Sequence, residues 1–295
     1  MTGRNRAVVS VIGRDQKGVV ARVSTFLASC DINIEDIEQK VMEGLFIMTM
    51  LVDLSELNCT LDELVDGLRH IGEEISMEVK LRLASSPAER KRVAVLVTKE
   101  PHCLEQLIRD RDAGLLNGDL VTVISNHPDL EPLARDAAIP FAWSSSADKT
   151  AHFDFVLDRL AAVKPDLVVL ARYMQILTPK VIARYPFRII NIHPSLLPYH
   201  PGSNAYKQAW EEGVRVSGCT AHFVTEQLDA GPVILQDVFH IRVGEDALEE
   251  VKERGQALEG KVLSQAVQLF LNDQLVVKDK KVIFRPGRFP GPEGA

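Results

Sequence analysis

Residues 188–198 read RIINIHPSLLP. The run starts as an apolar strand, carries Asn191 and His193 two residues apart at its end, and breaks at Pro194 and Pro198. Similar runs precede it: RVAVLVT at 92–98, LVTVISN at 120–126 and LVVLARY at 167–173. Between them lie helical segments, HCLEQLIRDRDAG (102–114), DLEPLARDAA (129–138), FDFVLDRLAAV (153–163) and TPKVIARY (178–185). Continuous apolar strands alternating with helices imply a parallel sheet covered on both faces, an α/β domain. Ligands of such sheets bind beyond the carboxyl ends of the strands. Asn191 and His193 stand at such an end, and in extended chain their side chains leave the same face.

Outward from that core, the pattern predicts a helix at 205–213, strands at 216–225 and 233–241, a long helix over about 246–272 and a hairpin at 275–284. The N-terminal part differs. RAVVSVI (6–12) is a strand, and Val19, Val20, Val23, Phe26 and Leu27 share one helical face. INIEDIEQKV alternates, Glu43-Gly44 is a turn, and LFIMTMLVDL is a further strand. LDELVDGLRHIG reads as a helix and SMEVKLRLA as a last strand, giving βαββαβ, the ferredoxin-like plan. The expected division is a first domain at 1–84, a linker at 85–91, a second domain at 92–284 and a flexible tail at 285–295.

The 295 residues are 46% apolar and 25% charged, enough for two domains with sizeable cores. The opening MTGRNRAVVSVIG lacks the apolar core of a secretion signal, and no apolar run reaches membrane-spanning length. Cys30, Cys59, Cys103 and Cys219 are scattered without a CxxC, which fits reduced thiols and a cytoplasmic protein. The net charge of −7 argues against a general nucleic-acid surface.

Read singly, Asn191 could cap a turn and His193 could be a satisfied core histidine. Asp229, in QLDAGP (227–232), could cap a tight turn between two strands. Together they supply an amide donor, a titratable base and a carboxylate, the parts needed for attack on an acyl carbon. His222, in TAHFV, reads as a buried strand histidine. His200 and His240 have no partner at metal-ligand spacing, so no metal is expected. Ser195 is not in a GxSxG elbow.

INIHPSLLP, TAHFV and LDAGPVILQ, taken in order, resemble the folate-dependent formyltransferase domain, over about residues 92–284. The resemblance implies a Rossmann-like, mostly parallel sheet, with Asn191, His193 and Asp229 catalytic. It implies a folate pocket from Arg172, Tyr173, Met174, Gln175, Ile176 and Leu177, with His222, Thr225 and Gly231. RDQKGVVARVSTFLASCDINIEDIEQ resembles an ACT domain, whose ligand turn would be Asp15–Gly18. The turn Thr98-Lys-Glu-Pro-His-Cys103 has no glycine, and Glu100 would repel the phosphate that a transformylase holds there. VTKEPHCLEQLI instead resembles the matching turn of formyltetrahydrofolate deformylases, which also carry an ACT domain in front. HPSLLP and Tyr199–Tyr206 depart from that family's usual form, although Gly202 and Tyr206 are kept.

The resemblance implies hydrolysis of 10-formyltetrahydrofolate to tetrahydrofolate and formate, with no cofactor. The formate would supply purine biosynthesis and balance one-carbon pools. Asn191 would donate to the oxyanion, Asp229 would hold the water and favour protonated His193, and His193 would stabilise the oxyanion or relay the proton. Glycine or methionine is the expected effector near Asp15 and Gly18, at an interface between copies in a homo-oligomer; the alternative is that the domain only holds the oligomer together. Two other readings stand beside this one: a transferase passing the formyl group to an unidentified amine, and a non-catalytic folate or amino-acid sensor.

Overall fold

A computed structural model describes residues 5–83, 90–199 and 205–285. The expected linker, apart from Arg90 and Lys91, the tail from 286, and residues 200–204 with His200 and Gly202 lie outside the described residues. The chain divides into two compact units, the second spanning Arg90–Ile283. Among the described residues no helix is long and apolar enough to cross a membrane. The four cysteines are free.

The first unit runs β1 (Arg6–Arg14), α1 (Val19–Ser29), β2 (Asn33–Met42), β3 (Leu45–Asp53), α2 (Leu61–Glu74) and β4 (Met77–Leu83). Its sheet order is β2-β3-β1-β4, with every pairing antiparallel. Alternation in β1 turns Ala7, Val9 and Val11 inward, all at 0% exposure. They pack with Val19, Val23 and Leu27 of α1 and Leu64 and Leu68 of α2. Thr60 and Glu63 form a reciprocal capping box that fixes the start of α2.

The second unit runs β5 (Lys91–Val97), α3 (His102–Asp112), β6 (Gly118–Ser125), α4 (Glu131–Asp136), β7 (Phe141–Trp143), α5 (Lys149–Val163), β8 (Leu167–Ala171), α6 (Pro179–Arg184) and β9 (Ile189–His193). It continues with α7 (Ala205–Glu211), β10 (Val216–Phe223), β11 (Val233–His240), α8 (Leu248–Leu271) and the hairpin β12 (Leu275–Lys278) and β13 (Lys281–Phe284). The turn residues Asp279 and Lys280 both have positive φ, as a two-residue hairpin of type I′ requires.

The large sheet has the order β11-β10-β9-β8-β5-β6-β7. The five strands β9, β8, β5, β6 and β7 are mutually parallel, and β10 and β11 add antiparallel strands at one side. The α/β expectation therefore holds. Val93–Val97 of β5 are all at 0% exposure, so the strand is covered on both faces. Phe153, Val156 and Leu160 of α5 pack with Ala94, Leu96 and Val168, while α3 and α8 pack on each other. From β5 the chain moves out to β6 and β7, then returns to the other side of β5 for β8 and β9. The strand order reverses between β5 and β8, and the crevice that such a reversal opens lies at their carboxyl ends.

Two elements depart from the pattern by more than two residues. Strand β7 has three residues, too few for alternation to reveal. Helix α5 begins at Lys149, one turn before the predicted start, because Asp148 caps it by accepting from the Ala151 N–H at 3.1 Å.

Candidate active site

At the carboxyl ends of β8 and β9, one strand on from that reversal, lies a cavity of about 1020 Å³, counting its open mouth. Its wall comes from Arg172–Leu177 after β8, Asn191–Pro194 at the end of β9, His222 on β10, and Thr225, Leu228 and Asp229 in the loop before β11.

Strand pairing brings the polar groups together. Leu170 of β8 pairs with Asn191, and Asn191 pairs across the antiparallel edge with His222. Opposite residues on one face of such a pair sit about 5 Å apart at Cβ. The Asn191 Nδ2 lies 3.2 Å from His222 Nε2, and His222 Nδ1 lies 2.9 Å from the Phe223 carbonyl oxygen. A carbonyl only accepts, so His222 Nδ1 carries a proton and donates to it. Burial pushes the His222 imidazole below its ordinary range; the Phe223 carbonyl and Asp229 act in the opposite direction and do not overcome it. In the neutral ring Nε2 is then an acceptor, and it receives one N–H of the Asn191 amide. The second N–H of that amide remains for a ligand.

Asp229 closes the group. One carboxylate oxygen lies 3.4 Å from His193 Nδ1 and the other 3.7 Å from His222 Nε2. His193 is 5% exposed and His222 2%, so the Asp229 carboxylate meets the two rings in a poorly solvated place. Asp229 has φ 51, a left-handed conformation that aspartate tolerates better than most side chains. The sequence-predicted Asn191, His193 and Asp229 thus share one cavity, with His222 as a fourth member. Ser195 is buried and its hydroxyl donates to the Tyr199 carbonyl at 2.7 Å, so it is engaged with backbone.

The six residues Arg172–Leu177 all line the cavity, as does Thr225. Met174 and Ile176 are exposed and give its mouth an apolar rim. Gly231 is not in the wall. A Cβ there would stand 1.7 Å from the Phe223 carbonyl oxygen, so glycine is required for the loop to close against β10.

Supports behind the wall were not legible in the sequence. The Met174 N–H donates to Thr98 Oγ1 at 2.9 Å, and that hydroxyl donates to Asn126 Oδ1 at 2.9 Å. The hydroxyl of Tyr173 bonds to His152 Nε2 inside the protein. Burial lowers the His152 pKa against the opposing pull of the Ser144 carbonyl. In the sequence His152 is one residue on an apolar helix face, with nothing to mark it.

In the first unit Asp15 and Gly18 flank the turn before α1 and line a shallow depression with Gln16, Gln39 and Phe46. Gly18 is the N-cap of α1 with φ 86, and no side chain caps the helix or places an acid in its first turn.

Comparison with known proteins gives two family matches, an ACT domain over residues 5–82 and a formyl transferase domain over 91–267. Formyltetrahydrofolate deformylase of Bacillus subtilis is 38% identical over 274 residues, 91% of this chain and 90% of that protein. The same-named Escherichia coli K12 protein is 35% identical over 96% of this chain and 99% of its own length. The crystal structure of a formyltetrahydrofolate deformylase from Pseudomonas syringae superposes with a TM-score of 0.86 at 34% identity, covering 96% of this chain and 95% of that one. A glycinamide ribonucleotide transformylase from Symbiobacterium toebii superposes with a TM-score of 0.63 at 35% identity, covering 95% of its own chain but 67% of this one. An ACT domain followed by a formyl transferase domain, matched end to end by these relatives, places this chain in the formyltetrahydrofolate deformylase family.

Proposed function

We propose that this chain hydrolyses 10-formyltetrahydrofolate to tetrahydrofolate and formate, with residues 92–284 as the catalytic domain and 1–84 as a regulatory one. The observation that carries the reading is the Asp229 carboxylate set between His193 and His222, beside the Asn191 amide. Asp229 accepts a hydrogen bond from the attacking water and takes its proton as the oxygen bonds to the formyl carbon. The free N–H of Asn191 donates to the oxyanion that forms on the former carbonyl oxygen. His193 delivers a proton to N10 as the C–N bond breaks, which leaves formic acid and the amine of tetrahydrofolate. His222 holds Asn191 in the donating orientation. Arg172–Leu177 and Thr225 shape the folate cleft, and Gly231 lets the Thr225–Asp229 loop close.

Water as acceptor is supported by the turn after β5. Glu100 is fixed there by Arg172 at 3.1 Å and by Gln256 at 3.3 Å, which sets a carboxylate where an anionic acceptor would have to approach. Burial alone would raise the Glu100 carboxyl; Arg172, His102 and Gln256 outweigh it and lower it, which keeps the group charged. No metal or cofactor is needed for these steps. Purified protein given 10-formyltetrahydrofolate and no other acceptor is expected to release tetrahydrofolate and formate one for one. Turnover that appears only when an amine is added would overturn the reading in favour of a transferase.

The formate supplies purine biosynthesis in the cytoplasm, and the tetrahydrofolate returns to the one-carbon pool. The ACT domain takes glycine or methionine at the Asp15–Gly18 turn, between copies of the chain in a homo-oligomer. The effector's carboxylate suits the uncapped N–H groups at the start of α1. Millimolar glycine or methionine should change turnover; a rate indifferent to both would leave the domain with assembly alone.

A further inference from the structure

Arg172 is the first residue after β8 and stands level with the end of β9, since Leu170 pairs with Asn191. Its φ is 59. Glycine takes that conformation freely, whereas a long side chain is strained there. The chain nevertheless carries arginine there, and its side chain is engaged.

Its contacts show how. The guanidinium side chain is 10% exposed, with Nη2 3.1 Å and Nε 3.3 Å from the Glu100 carboxylate. Nε is also 3.4 Å from Glu259 Oε2. Glu259 reaches in from α8 at 0% exposure, and His102 Nε2 lies 3.1 Å from the same oxygen. A carboxylate this deeply buried is tolerated when it has charged partners. The turn after β5, the end of β8 and the middle of α8 therefore meet at one guanidinium.

His102, Cys103 and Glu259 also come within 4.8 Å of one another, as ligands of a cation would. Arg172 already supplies the positive charge to Glu259. Burial and the nearby Glu259 push the Cys103 thiol well up, and a neutral thiol is a poor ligand. The cluster is an ion-pair anchor.

We propose that Glu259 and Glu100 are positioning residues. They hold Arg172 in its left-handed conformation and thereby set the course of Tyr173–Leu177, the segment that lines the folate cleft. Thr98 and His152 fix that segment farther along, at Met174 and Tyr173, and Lys149 donates to the Gln175 side chain, so Arg172 is the charged tether at its start. The proposal rests on the reading of the cavity as the folate site. Neither carboxylate need touch substrate, so their loss should weaken binding more than it slows chemistry.

The test measures KM and kcat for 10-formyltetrahydrofolate, and anaerobic binding of tetrahydrofolate, in full-length Glu259→Gln, Glu100→Gln, Arg172→Gly and the double variant Glu259→Gln/Arg172→Gly. Glu259→Gln and Arg172→Gly should each raise KM and the dissociation constant about tenfold, with kcat within about threefold of the unaltered protein; Glu100→Gln should shift them less, in the same direction. The double variant should bind no worse than the weaker single one, because both changes break one contact. Additive losses, unchanged binding, or a fall confined to kcat would overturn the proposal. If Glu259→Gln does not fold, Glu100→Gln and Arg172→Gly carry the test on the same terms, because Glu100 is 39% exposed and glycine suits φ 59. An unaltered protein that fails to bind tetrahydrofolate overturns the cavity assignment and this proposal with it; unaltered binding matched by every variant overturns this proposal alone.

Discussion

Asp229→Asn should lower kcat at neutral pH by about a thousandfold or more and leave tetrahydrofolate binding within about threefold. Asparagine has nearly the same volume and tolerates the left-handed φ of 51, so the loop before β11 keeps its shape. What is lost is the negative charge 3.4 Å from His193 and 3.7 Å from His222, and the oxygen that can take a proton from water. An amide can still orient a water molecule, but it cannot act as its base. General-base loss alone typically costs about a hundred- to ten-thousandfold, and loss of the histidine's partner adds to it. Steady-state rates and a binding titration on the same preparation separate the two effects. A variant with near-normal kcat would remove Asp229 from the chemistry.

Asn191→Ala should cost about a hundred- to a thousandfold in kcat, near 3 kcal/mol of barrier, with little change in KM. The amide is aimed by its bond to His222 Nε2 at 3.2 Å, which costs no reorganisation when the oxyanion forms. It acts on charge that develops only in the transition state, so its removal should appear in kcat. A loss confined to KM would make Asn191 a binding group and would leave the oxyanion without its donor.

These predictions rest on residues that the sequence makes visible to different degrees. The parallel sheet was legible because buried strands leave long apolar runs, and RIINI, LVVLA and RVAVLV are such runs. Asn191 and His193 stood out because a spacing of two at a strand end puts both on one face. Asp229 stood out through the Gly-Pro turn that follows it. His222 was visible as a strand histidine, but its bond to Asn191 depends on the register between β9 and β10, which no local pattern encodes. Gly231 sits in the ligand loop by sequence and outside the cavity wall in space, because its role is close approach to Phe223. Arg172 reads as a cleft edge, and it is one. Its guanidinium, however, is spent on Glu100 and Glu259, partners far away in the chain that only the folded sheet and α8 bring near. His152 is hidden for the same reason.

The most direct test of the account is turnover of 10-formyltetrahydrofolate in ¹⁸O-labelled water with no other acceptor, with the products analysed by mass spectrometry. Attack by water predicts formate carrying one ¹⁸O atom, in amounts equal to the tetrahydrofolate released. Unlabelled formate, or folate that is bound without being turned over, would contradict it.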